Sequence, residues 1–252
     1  MTEARAIYTL WLREVKRYFR ERVRPISSFV QPALWLLIFG SGFGRTIQGL
    51  PIPYQEFLFP GIIAQTMLFT SMFMGISVIW DREFGFLKEI LVAPVSRGSI
   101  FIGKMLGNST DALIQGVITF MLGFIIQVPL NLLIFLIALP LMVMVTFGLV
   151  CIGLSIASSM SSLESFGVIQ SFVTLPIFFT SGALFPVLGA TGWLQTVTYF
   201  NPMTYGVDAL RTIIIGSVPG VALFPLYIDI LVVVAFDAIM IVIGTLAFGR
   251  RK

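Results

Sequence analysis

Four polar side chains share one helical face inside an apolar stretch: Lys104, Asn108, Asp111 and Gln115, spaced i, i+4, i+7 and i+11. Hydrocarbon does not tolerate such a stripe, so it must face protein or water. Two roles fit it. It can line a pathway through a membrane, or it can hydrogen-bond neighbouring helices together. Asp237 poses the same question alone, because it sits midway along an apolar run with no cation near it in sequence. A carboxylate there must be paired, protonated or functional.

A second set of charges stands outside the apolar runs. In DREFGFLKEILVAPVSRG, Asp81 to Gly98, the residues Asp81, Arg82, Glu83, Lys88, Glu89 and Arg97 alternate with Phe84, Phe86, Leu87, Ile90 and Leu91. The apolar members recur at helical spacing. They predict a short amphipathic helix over Asp81–Ile90, followed by a stop at Pro94. Such a helix is either a solvated connection or a grip for a soluble partner. In the second case Phe84, Phe86 and Leu87 fill a groove, while Glu83, Lys88 and Glu89 fix the register at its rim.

Several chemistries are excluded. The chain has no His and a single Cys, Cys151. A disulfide framework within the chain, a zinc cluster and His-based catalysis are therefore out. GSGFGRT, Gly40 to Thr46, lacks the Lys of a GxxxxGK[ST] phosphate loop and reads as a flexible helix end. GLSIA, Gly153 to Ala157, is not GxSxG. No catalytic residue, metal site or nucleic-acid partner is expected. No internal repeat is evident, which weakens the case for an inverted-repeat carrier.

The elements that must position these residues follow from composition. Hydrophobic residues make up 57% of the 252 and charged residues 11%, which places the chain among all-α polytopic membrane proteins. Residues 1–25 predict an amphipathic helix lying on the membrane surface. Ile7, Tyr8, Trp11, Leu12, Val15, Tyr18 and Phe19 fall on one half of its wheel, and Arg13, Lys16, Arg17, Arg20 and Arg24 on the other. Residues 26–252 predict a domain of six transmembrane helices, near 27–43, 57–80, 100–126, 130–158, 166–188 and 223–248. The third and fourth should form a hairpin through Gln127, Val128 and Pro129. Asp229, near the outer end of the sixth, can reach lipid headgroups and needs no special role.

Basic residues set the orientation. Seven precede the first run, four lie in or after the charged island and three close the chain, against Arg45 and Arg211 on the other side. Both termini and the island should be cytoplasmic. The outer side is then small except for residues 189–220. SGALFP, Ser181 to Pro186, precedes that stretch and can break a helix before it exits. Irregular backbone at membrane depth survives only where protein or a cavity shields it. A plain exit turn is the other reading.

Two of these stretches resemble those of a known family, the membrane subunits of type-2 ATP-binding cassette (ABC) exporters. REFGFLKEILVAPVSRGSIFIGKML, Arg82 to Leu106, is similar to the family's charged helix, P-hydrophobic-S-R turn and following GK. Gly85, Glu89, Pro94, Ser96, Arg97, Gly103 and Lys104 stand at matching positions, while Phe86 replaces the family's usual small polar residue. SGALFP with NPMTYGVDALR, Asn201 to Arg211, is similar to the late signature, with Pro202, Tyr205 and Arg211 at its spacing.

The resemblance implies a homodimeric exporter of drugs, lipids or lipid-linked saccharides in the plasma membrane. Each subunit would meet one cytoplasmic ATPase, which holds ATP and magnesium. Asp81, Arg82, Glu83, Phe84, Gly85, Phe86, Leu87, Lys88 and Glu89 would form the coupling helix, beside an N-terminal connecting helix. Residues 182–211, with Gly182, Pro186, Asn201, Pro202, Tyr205 and Arg211, would form an outer re-entrant gate. Membrane lipid would be the remaining partner. The alternatives are an ion- or proton-coupled carrier using Asp237 and Asp111, and a lipid-modifying membrane enzyme, against which the missing His argues.

Overall fold

A computed structural model of the chain describes residues 3–20, 23–44, 50–85 and 95–250. Every regular element among them is helical. In chain order these are α1 (Glu3–Arg20), α2 (Val23–Phe43), α3 (Tyr54–Phe73), α4 (Ile76–Glu83), α5 (Arg97–Ile125), α6 (Leu132–Ser159), α7 (Leu163–Phe179), a 3-10 turn (Val187–Gly189), α8 (Gly192–Phe200), α9 (Pro202–Ile215) and α10 (Leu226–Arg250). Three stretches among the described residues are long and apolar enough to cross a membrane: Tyr54–Glu83, Leu132–Ser159 and Leu226–Gly249. α2 and α7 are apolar but shorter, and α5 is long but carries the polar stripe.

α3 is the central pillar. Its sequence is apolar all round, so no face is suited to water, and helices of that kind are buried. Phe57, Leu58, Phe59, Ile62, Ile63 and Met67 are all enclosed. Around α3 pack α2, α5, α6, α7 and α9. α10 covers α6 and α9 from outside.

The pillar breaks at Met74 and Gly75 before resuming as α4. The break coincides with a crossing of backbones. A β-carbon on Gly75 would lie 2.4 Å from the Gly153 carbonyl oxygen of α6, and one on Gly153 would lie 2.9 Å from the oxygens of Ser71 and Met72. Only glycines let the two chains approach so closely. α5 and α6 form the expected hairpin. Gln127 takes a left-handed φ of 60°, and the Asn131 side chain caps α6 by accepting from the Ile134 N–H at 2.8 Å.

The fifth apolar run departs from expectation. It is helical only to Phe179, and SGALFP is irregular. The break is accommodated because Gly182 adopts a φ of 71° and Ala183 packs directly on Gly61 of α3.

Candidate functional site: a charged junction and an outer stitch

α1 meets α5 through a stripe of every fourth residue: Ala6, Leu10, Glu14 and Tyr18. The opposing surface is Gly103 and Gly107. A β-carbon on Gly103 would lie 2.8 Å from Leu10 Cβ, and one on Gly107 2.5 Å from Glu14 Cβ. α1 thus has a docked face in addition to the expected two. Its aromatic flank, with Tyr8 and Phe19, and its cationic side, with Arg5, Lys16 and Arg20, remain exposed. The spacing Gly103-xxx-Gly107 is a readable sign of close helix packing, and sequence reasoning passed over it.

This docking carries Glu14 into a cluster of charges. Arg13 pairs with Glu14 and donates to Asp81 Oδ2 at 2.7 Å. Lys104 Nζ lies 2.5 Å from Asp81 Oδ2 and 3.6 Å from Glu14 Oε1. Lys104, Glu14 and Asp81 are all buried. With Arg17 Nη1 3.8 Å from Glu14 Oε2, two anions and three cations from α1, α4 and α5 compensate one another, the condition under which burying charge is tolerable. Burial opposes the Arg13 charge, yet Glu14 and Asp81 outweigh it and hold the guanidinium above its ordinary value. Arg17 extends the cluster, with its guanidinium 4.7 Å above the Trp80 ring. Farther along α1, the Glu3 carboxylate accepts from the Ser96 N–H at 3.0 Å, at the cap of α5. Hydrogen bonds from Ser99 and Ser96 hold it below the usual carboxylate range.

The charged island is therefore divided. Asp81, Arg82 and Glu83 end α4, the continuation of the second run, and do not open a separate helix. Asp81 points inward because Lys104 and Arg13 lie there. Arg82 also turns inward, donating to the carbonyls of Ser158 at 3.2 Å and Met160 at 2.5 Å. It thereby clamps α4 to the C-terminus of α6. Glu83 and Phe84 face outward; Phe84 is 82% exposed. Gly85, with a φ of 75°, closes the turn. Phe86, Leu87, Lys88 and Glu89 lie outside the described residues.

The α5 stripe faces α3 and α4. Asn108 Nδ2 donates to the Met74 carbonyl at 3.4 Å and to Ser77 Oγ at 3.3 Å, so its amide spans the α3–α4 break. Gln115 Oε1 accepts from Thr70 at 2.8 Å, and Asp111 is buried between them along the helix. Asp237 sits apart on α10. Its carboxylate occupies the space a β-carbon on Gly148 of α6 would take. Asp229 is fully buried and does not reach the surface, contrary to expectation; α10 covers α9 at that level and encloses it.

The outer segment is stitched through backbone carbonyls. Arg211, also buried, donates to the Gly182 carbonyl at 3.0 Å and lies 3.9 Å over the Phe57 ring. Tyr54 donates to the Leu184 carbonyl at 2.8 Å. Asn201 caps α9 through the Met203 N–H and donates to the Ile177 carbonyl and Thr180 Oγ1 at 2.6 and 2.9 Å. Pro202 takes the first helical position, where a missing N–H costs nothing. Tyr205 donates to the Tyr199 carbonyl at 2.8 Å and stacks on Phe224. Pro186 precedes the 3-10 turn. Asp208, missed in the sequence, accepts from the Leu223 and Phe224 N–H groups and fastens the approach to α10. The irregular backbone of SGALFP thus finds its partners within the protein.

Residues 5–215 match the family model described as ABC-2 type transporter. The chain belongs to the ABC-2 type transporter family. A transport permease, ycf38, of Cyanophora paradoxa is 31% identical over 208 residues, 78% of this chain and 71% of that one. Nodulation protein J of Rhizobium meliloti (strain 1021) is 28% identical over 199 residues, 76% of this chain and 74% of its own length. The multidrug ABC transporter permease YbhR of Escherichia coli (strain K12) is 31% identical over 166 residues, 64% of this chain and 44% of that protein. As an ABC-2 permease, this chain is the membrane subunit of a transporter rather than an enzyme, and the family implies an ATP-binding cassette partner.

Proposed function

We propose that this permease exports a hydrophobic or amphipathic cargo, driven by ATP that a separate cytoplasmic ATPase hydrolyses with magnesium. In this reading α2, α3 with α4, α5, α6, α7 and α10 are six spans. Both termini and the tip of α4 face the cytoplasm, and two copies form the pathway in the plasma membrane. Residues 1–25 are the connecting helix, the stretch beginning at Asp81 couples to the ATPase, and residues 182–211 gate the outer side. The names of the multidrug and nodulation relatives support a drug or lipid-linked saccharide as cargo.

One observation carries the reading. The exposed tip at Glu83 and Phe84 stands directly on the buried cluster that joins α4 to α1 and α5. A partner gripping the tip would move three helices together, because separating any of them strands a buried charge. The test replaces Phe84 and Phe86 together by Ala. Buried aromatic anchors typically cost ~2 kcal/mol or more on truncation. The double variant should keep its membrane level and lose copurifying ATPase and ATP-driven transport, while Glu83→Ala acts more gently. A double variant that binds the ATPase and transports normally overturns the coupling assignment. Transport that persists without any ATPase and follows an ion gradient would favour the carrier built on Asp237 and Asp111.

A further inference from the structure

Between the docked and aromatic faces of α1 lies a groove of about 470 Å³. Its walls are Ile7, Tyr8 and Trp11 of α1, Leu106 and Leu113 of α5, and Phe147 of α6. The volume falls in the ~300–1,000 Å³ range of ligand pockets.

Its polar lining is sparse and mostly spent. Thr110 accepts from Trp11 Nε1 at 3.0 Å and donates to the Leu106 carbonyl at 2.8 Å. Thr146 donates to the Val143 carbonyl at 2.8 Å. Ser109 differs: it is 3% exposed, and its hydroxyl has no hydrogen-bond partner among the described residues. That oxygen is itself enclosed and does not open into the slot, so the slot offers an occupant almost only apolar surface.

The surroundings select the occupant. On α1 both carboxylates are engaged, Glu3 by Ser96 and Glu14 by Arg13 and Lys104. The exposed side beside the aromatic flank carries Arg5, Lys16 and Arg20. An apolar slot rimmed by Tyr8 and Trp11 and bordered by cations matches a molecule with a hydrocarbon chain and an anionic head.

We propose that the groove holds one acyl chain of an anionic glycerophospholipid from the leaflet beside α1. The chain lies along the apolar walls, and the phosphate lies toward Arg5 and Lys16. The bound lipid wedges α1 against α5 and α6, next to the charged junction. The inference rests on α1 lying at the membrane surface, as the proposed function requires.

The test uses the full chain with its ATPase, reconstituted in phosphatidylethanolamine vesicles containing phosphatidylglycerol and then released for native mass spectrometry. The unaltered chain should retain phosphatidylglycerol in preference to phosphatidylethanolamine. Ser109→Phe fills the slot and should lower retained lipid about tenfold, the loss expected when two methylenes are excluded. Leu113→Trp narrows the same wall one turn farther along α5 and should do the same, which guards against misfolding of either variant. Arg5→Gln with Lys16→Gln should keep a lipid but lose the headgroup preference. Unchanged retention in both slot-filling variants overturns the site, and retention without headgroup preference in the unaltered chain overturns the anionic assignment. A spin label at Phe19→Cys reads the depth of α1 separately. A label that sits in bulk water while lipid is still retained would refute the surface placement and leave the groove standing.

Discussion

The inner junction and the outer stitch both bury an arginine or lysine beside α3 or its continuation, yet they spend the charge differently. At the junction, Lys104 meets carboxylates, and those carboxylates meet Arg13. At the outer segment, Arg211 meets a carbonyl and an aromatic face, and the buried Asp208 carboxylate that acts on its charge is itself held by backbone N–H groups. Charges that answer charges stand or fall as a set. Arg211 and Asp208 each keep backbone partners of their own, so the outer contacts can be lost one at a time. The inner arrangement suits a joint that must move rigidly, and the outer one a segment that can loosen by degrees.

The largest expected effect breaks the set. Lys104→Met leaves Asp81 and Glu14 short of a cation and should cost roughly 3–5 kcal/mol, read as a fall in melting temperature of the purified permease. Adding Asp81→Asn to Lys104→Met should restore part of the loss. An additive double variant would show that the cluster is not a unit. Arg211→Met should cost less, about 2–3 kcal/mol, because Asp208 keeps its Leu223 and Phe224 N–H donors when the cation is gone. It should also raise labelling of a cysteine placed at Ala183, whereas Lys104→Met should not. Equal labelling in the two variants would erase the contrast between the regions.

Gly75→Ala tests the crossing of the α3–α4 break with α6, because its β-carbon meets the Gly153 backbone. Overpacking of this kind typically costs ~1–3 kcal/mol, here visible as lower stability with an intact junction. The smallest effect concerns Glu3. Its carboxyl titrates below the usual range, so its hydrogen bonds stabilise the fold above that range and are lost as pH falls through the lowered value. Glu3→Gln should flatten the acid side of the stability profile and leave neutral pH nearly unchanged.

Periodicity made much of this legible. The Lys104–Gln115 stripe lies on one face of α5 because a four-three spacing admits no other arrangement, and the hairpin at Gln127–Pro129 is short enough to leave little choice. What periodicity cannot state is which surface a face will meet. Asp81 looks like a solvated charge beside Arg82 and Glu83, and only Arg13, 68 residues earlier, and Lys104, on a later helix, reveal it as buried. Asp229 misled for the same reason. Its position near a helix end suggests lipid headgroups, but helix-on-helix cover, invisible along one strand of sequence, decides its exposure. Gly182 and Arg211 appeared as separate motif members, and the hydrogen bond between them is a tertiary fact.

The junction also constrains the order in which the chain can be made. Arg13, Glu14 and Asp81 leave the ribosome before Lys104 does. Until α5 arrives, the two acids have only Arg13 and Arg17 of α1 itself, and α1 has no glycine surface to lie on. The amino-terminal helix therefore finds its place late, when the third hydrophobic run is delivered to the membrane. A nascent chain halted short of Gly103 should leave α1 open to proteases that the finished protein resists.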